Sequence, residues 1–418
     1  MKLLWFVLVT IVHLSVTLVP PEFQWKAVDF AWKFNTREAA VSSGDYIPEN
    51  NMPAGIARWH DKLFITIPRW KEGIPSSLNY IFLNGSQSQP LNPYPSWEHA
   101  FVSRKARRTR SNSTVVSAFR VHVDSCDRLW VVDNGVADML TNVRQVGAPA
   151  ILVFDLHENK LLHRHEFNDD VLKESSVLTG IVVENLGPCP CDSFAYIPDM
   201  GSNALIVYNL EQNDAWRIEN QYFHFDPHSS VYNVGGVEFY WNDGISTAVL
   251  SPPRKGHRDI YFHPTSSTKQ FRVSSKLLKD KNIPREVLFG AVEVIGDRGP
   301  LSQATAADLD LVHNVMFYSQ LSRNGISCWN TEKAMTKENV PLILSDCVLL
   351  EFPNDVKIDH ENNLWILSNR QSRFLYDTLN HSVVNFRILK APASTLIKGT
   401  PCEKMSPIQK AISFIKNT

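Results

Sequence analysis

Short apolar runs alternate with polar turns along most of the chain. "AFRVHVD", "RLWVVD", "AILVFDL", "FAYIPD", "ALIVYNL", "DIYFHP", "VMFYSQ", "NVPLIL" and "NLWILS" are rich in β-branched and aromatic residues and sit between turn residues. Runs of this kind predict strands. Helical periodicity is confined to short pieces such as "SSKLLKD" and the C-terminal "SPIQKAISFIK", where Ile408, Ile412 and Ile415 recur at helical spacing. The pattern predicts an all-β chain of many short strands.

The strands come in a repeating unit: a strand, a turn rich in Asp, Asn or Gly, and a second strand ending on a polar residue. The unit aligns at 55–69, 119–133, 180–199, 244–264, 304–320 and 354–370, a period of about 50–65 residues. Four-stranded repeats of this length predict a six-bladed β-propeller of antiparallel blades around a central channel. "SCDRLWVVD" (125–133) and "HENNLWILS" (360–368) show the unit most plainly. Their shared Leu-Trp predicts a tryptophan wedged between neighbouring blades. The alternation in "WKAVDFAWKF" (25–34) predicts an N-terminal strand that pairs into the last blade and closes the ring.

Composition adds the setting. The chain has 418 residues, 44% of them hydrophobic, and a net charge of -1. It is long enough for a large core, and its charge gives no pull toward nucleic acid or an anionic membrane. Lys2 and the apolar run to Val19 predict a secretory signal peptide over 1–19, with an N-terminal membrane anchor as the alternative. No later segment is apolar enough to span. The propeller is expected over 20–402 and a C-terminal tail with a short helix over 403–418. A secreted, extracellular chain makes disulfides plausible for its six cysteines. The Asn84, Asn112 and Asn380 sequons are then candidate glycosylation sites. The basic run Arg104–Arg110 reads as a solvated loop.

Several long motifs now carry a resemblance. "NNMPAGIARWHDKLFITIPRWKEGIPSSLNYI", "FRVHVDSCDRLWVVDNG", "CDSFAYIPD", "GHRDIYFHPTSS", "SCWN" and "NDVKIDHENNLWILSNR" occur in order. The chain resembles the insect yellow and major royal jelly protein family from about Phe23 to Cys402, and its opening looks most like the dopachrome-conversion branch. The resemblance implies a secreted six-bladed propeller. It also implies disulfides Cys126–Cys191 and Cys328–Cys402, with Cys189 and Cys347 surplus. The spacing Cys189-Pro-Cys191 leaves open which of the two pairs with Cys126.

Familiar catalytic signatures are missing. "GISTA" and "GISCW" lack the last glycine of a nucleophile elbow, and no H-E-x-x-H occurs. "HRH" at 163–165 puts two histidines on one strand face, more in keeping with a half-exposed strand than a metal site. No metal or cofactor is expected. Propellers hold ligands at a channel mouth, so polar residues at inner-strand ends are the candidates. These are Thr179, Gln303, Thr305, Asn354, Asn369 and Gln371, with Asn354, Asn369 and Gln371 matching the family's amine-binding positions. An aromatic residue is expected near the last of these, and Gln371 departs from that. Asp243, Asp355 and His257 are candidate proton carriers. The expected activity is dopachrome tautomerisation in melanin formation, by an isomerase acting on a small aromatic molecule. The alternatives are a non-catalytic binder of catecholamines or indoleamines, and a calcium-dependent hydrolase of the lactonase type.

Overall fold

Six four-stranded antiparallel sheets follow one another along the chain and form a ring, a six-bladed β-propeller. The computed structural model describes residues 19–404 apart from 110, 188–191 and 255. The innermost strands are Gly55–Trp59, Val121–Val123, Val182–Asn185, Ile245–Leu250, Ala307–Asp310 and Phe352–Ile358. Each pairs with the next strand in sequence through a short hairpin: Lys62–Thr66, Arg128–Asp133, Ser193–Asp199, Asp259–Pro264, Val315–Gln320 and Asn363–Asn369. All six units read from the sequence are therefore the inner hairpins of blades.

The hairpin turns show why the phrase repeats. Asp124 accepts from the backbone N–H groups of Cys126 and Arg128, and from the Trp130 indole at 2.8 Å. Asp359 accepts in the same way from Glu361, Asn363 and the Trp365 indole at 2.7 Å. Asp127 and Asn362 take the left-handed conformation in the two turns, with φ of 54° and 58°, which short polar side chains tolerate. The indole rings then pack between blades. Trp130 joins Ile197 and Ile206 of blade three, and Trp365 joins Ile56 and Ile65 of blade one. Truncating such a buried ring to alanine typically removes about 3–5 kcal/mol.

The ring is closed by the N-terminal strand, as expected, but the strand lies earlier than the alternation suggested. It is Pro21–Trp25, paired antiparallel with Phe386–Pro392, with Phe23 opposite Ile388 and Trp25 opposite Phe386. Residues 26–34 carry only a bridge from Phe30 to Leu91. Val28, Phe30 and Trp32 instead join a cluster in which Trp32 and Trp97 stack at 4.5 Å.

The Cys328–Cys402 disulfide is present and fastens the C-terminal segment to blade five. Cys189 and Cys191 lie outside the described residues, as do the apolar N-terminal run to Leu18 and the tail from residue 405. Asn84, Asn112 and Asn380 are all exposed. Among the described residues no helix is long and apolar enough to cross a membrane.

Candidate functional site

A belt of hydrogen bonds laces the blades together at one mouth of the channel. Thr66 donates to the Phe119 carbonyl, linking blades one and two. Asn134 Nδ2 reaches Leu178 O at 2.9 Å, Thr179 Oγ1 reaches Ser246 O at 3.0 Å, and Ser246 Oγ reaches Thr305 O at 2.9 Å. Thr305 Oγ1 reaches Asn354 O at 3.2 Å. Asn354 Nδ2 closes the circle on Ala54 O at 3.0 Å. Each bond helps to satisfy a backbone carbonyl near the start of an inner strand. Thr179, Thr305 and Asn354 are thus blade-joining residues whose donors are already engaged.

Above the belt lies a cavity of about 360 Å³. Trp70, Phe119, Met139, Leu375, Trp241 and Tyr376 supply most of its wall. The Trp241 indole donates to the Tyr376 hydroxyl. Trp70 meets Phe119 edge-on at 5.2 Å. Flat apolar walls with a few polar groups suit a small aromatic ligand.

The floor is Arg120. Its guanidinium donates to Asn354 O at 2.7 Å and Ser246 O at 3.3 Å, so it spans blades two, four and six. Its Nε lies 3.2 Å from Asp355 Oδ1, an ion pair whose angle falls short of a hydrogen bond. The Asp355 carboxylate also accepts from the N–H groups of Ile56 and Val356. Burial pushes the Arg120 guanidinium below its ordinary range, and Asp355 opposes that shift.

Asp243 differs from every other acid at this mouth. Among the described residues its carboxyl has no hydrogen-bond or ion-pair partner. Burial alone raises it to about 6. Its backbone is held on both sides by Ser266, through Ser266 N–H to Asp243 O at 3.1 Å and Asp243 N–H to Ser266 Oγ at 3.3 Å. Gly244 follows because a Cβ there would come within 2.2 Å of Asn203 Oδ1 and 2.7 Å of Phe223 O. The chain is thereby pinned so that Asp243 lines the cavity. A carboxyl in this state exchanges protons near neutral pH.

The other expected residues divide. Gln371 lines the cavity, and its buried Oε1 has no hydrogen-bond partner. Asn369 stands behind it, accepting from Gln371 N–H at 3.1 Å and donating to Pro53 O at 2.9 Å. Gln303 Nε2 bonds Ser229 O and Val231 O and supports the hairpin before blade four. Asp355 sits beneath the cavity against Arg120. His257 lies in the turn between Ile245–Leu250 and Asp259–Pro264, at the opposite end of the inner strand from Asp243. His163 and His165 both meet Asn213 Oδ1, at 3.0 and 2.9 Å. Among the described residues no group of three or more His, Cys, Asp or Glu side chains is placed to hold a metal.

Arg120 was missed by reasoning from residue type, although alternation could have found it. Arg120 and His122 fall on one face of the blade-two strand, as Asp355 and Lys357 do in blade six. Trp70, Met139 and Trp241 come from loops between strands and carry no such signal.

At this mouth of the six-bladed propeller, apolar walls surround an ionisable carboxyl. Residues 116–402 match the family model "Major royal jelly protein". The chain is 34% identical over 393 residues to a Drosophila melanogaster protein named dopaminechrome tautomerase, covering 91% of this chain and 83% of that one. It is 35% identical over 407 residues to L-dopachrome tautomerase yellow-f of the same organism, covering 91% and 93%. It is 34% identical to protein yellow of that fly, covering 95% and 74%. The chain belongs to the yellow and major royal jelly protein family.

Proposed function

We propose that this is a secreted isomerase of melanin formation that converts dopachrome-type indoline quinones to dihydroxyindoles in the upper channel mouth. The two relatives named as tautomerases of such quinones support the reaction class. The observation that carries the reading is the unpartnered Asp243 carboxyl inside an aromatic cavity.

The chemistry moves two carbon-bound protons of the pyrroline ring to the two quinone oxygens, and composition does not change. Asp243 as carboxylate takes a ring proton and as acid returns it to oxygen. Its pKa near neutrality suits both halves of that exchange. Negative charge grows on the quinone oxygens as the carbon proton leaves. The positive charge of Arg120, held rigid by two carbonyls, stabilises it from the floor. Trp241, Tyr376 and Phe119 hold the flat ring and exclude water. Gln371 Oε1 accepts from the ring N–H.

The same carboxylate and aromatic walls suit the ammonium and ring of a catecholamine or indoleamine, so amine binding without turnover is the competing reading. Loss of quinone absorbance faster than the uncatalysed rate, abolished by Asp243→Asn, establishes the isomerase. Calorimetric binding of dopamine or serotonin with no acceleration establishes the binder.

A further inference from the structure

The channel has a second mouth, where acids and bases both line the wall, Asp308 and Asp359 beside Arg258. A cavity of about 460 Å³ opens there, lined by His122, Arg258, His360, Val182 and Leu309. Lys357, two residues after Asp355 on the blade-six inner strand, stands close enough to depress His122 electrostatically.

The acids at this end are already engaged. Asp308 accepts from Leu309 N–H at 2.9 Å and Ile358 N–H at 2.8 Å. Asp359 holds Arg58 at 2.6 Å and the Trp365 indole. Asp124 holds Arg128 and the Trp130 indole. Glu184 holds Tyr196, Ser275 and Lys279. The cations Arg258 and Lys357 have no carboxylate of the described residues in direct contact, and Glu184 and Asp308 act on them only at longer range. Among the described residues the side chains of Arg258, Lys357, His122 and His360 make no hydrogen bond or ion pair. Arg258 and Lys357 are half-buried, and burial lowers the Arg258 guanidinium from its ordinary range. Burial and the Lys357 charge hold His122 down at about 4, so its ring is neutral at pH 7. The fixed charge is that of Arg258 and Lys357. A partly desolvated cation with no carboxylate in contact is costly, and an anion placed directly against it offsets that cost. Beside these cations the rim is apolar and open: Leu311 is 46% and Val312 62% exposed.

We propose that the lower mouth binds an amphipathic organic anion, with its carboxylate on Arg258 and Lys357 and its apolar body against Leu309, Leu311 and Val312. The Arg120–Asp355 pair separates this site from the upper cavity, so the inference stands independently of the isomerase reading.

The test is calorimetry of the full secreted chain with octanoate at pH 7.5, with 1-octanol as the uncharged control. Octanoate binds wild type at least about tenfold more tightly than 1-octanol does. Arg258→Gln and Lys357→Gln each weaken octanoate about fivefold or more, with melting temperatures unchanged, and Asp243→Asn leaves its binding unaltered. Absence of octanoate binding at millimolar concentration overturns the proposal. So does equal binding of 1-octanol, wild-type affinity in both charge variants, or loss of binding in Asp243→Asn, which would move the ligand to the upper mouth.

Discussion

Arg120 and Asp355 face each other at 3.2 Å across the channel, joining blade two to blade six beneath the upper cavity. Both are buried, with side chains 9% and 1% exposed. Breaking such a pair leaves one charge buried and alone, which typically removes about 3–5 kcal/mol. Arg120→Met therefore lowers unfolding free energy by about that amount in urea denaturation. Arg120→Met with Asp355→Leu recovers most of the loss while activity stays absent. A double variant no more stable than the single one would show that the pair is not the source of the cost.

Asp243 gives the pH dependence its sign. With the carboxylate as the base, kcat/KM falls as pH drops below about 6. Asp243→Asn lowers kcat at least about a hundredfold and abolishes that limb. Stability moves the other way. The folded-state pKa is raised above the unfolded value, so the contribution of Asp243 is fully present below about pH 4 and is lost as pH rises through about 6. At pH 7 the buried ionised carboxyl costs up to about 3 kcal/mol. Asp243→Asn is thus more thermostable than wild type at pH 7 and indistinguishable from it at pH 4, by differential scanning calorimetry.

Asn369 positions Gln371 and seals the seam between blades six and one. Asn369→Ala strands Pro53 O and the Gln371 N–H, at about 1–3 kcal/mol. It raises KM through the displaced Gln371, with a smaller change in kcat. Gln371→Ala raises KM without the loss in melting temperature. Normal KM in both variants would remove these residues from the site.

The Cys328–Cys402 disulfide closes a loop spanning 74 residues. Chain-entropy arguments assign such a cross-link about 4 kcal/mol. Cys328→Ser with Cys402→Ser lowers the denaturation midpoint accordingly, while the initial rate on the quinone at 25 °C stays at the wild-type level.

The blades were legible because their signals are local. In blades two and six an Asp turn, a left-handed Asp or Asn and a Leu-Trp strand all lie within ten residues, and the other hairpins repeat the apolar strand and its polar turn. The N-terminal strand was misplaced because Trp25 to Phe34 alternates well, yet its side chains serve a cluster with Tyr46 and Trp97 rather than a sheet. Of the polar residues at strand ends, Thr179, Asp243, Thr305, Asn354 and Gln371 line one cavity. Their type alone did not distinguish Thr179, Thr305 and Asn354, which bind carbonyls of neighbouring blades, from Asp243, whose carboxyl has no partner among the described residues. That difference arises from contacts between blades 49 or more residues apart in the chain. His257, the other candidate proton carrier, lies at the opposite end of the same inner strand from Asp243, in its hairpin turn.

Closure of the ring by Pro21–Trp25 against Phe386–Pro392 has a consequence for synthesis. The first strand emerges from the ribosome some 360 residues before its partner, roughly 20–70 s at ordinary elongation rates. Throughout that interval Phe23 and Trp25 have no sheet to join, because blade six is not yet complete. The finished molecule conceals both faces, but the nascent one must be shielded from pairing with its neighbours until the last strand arrives.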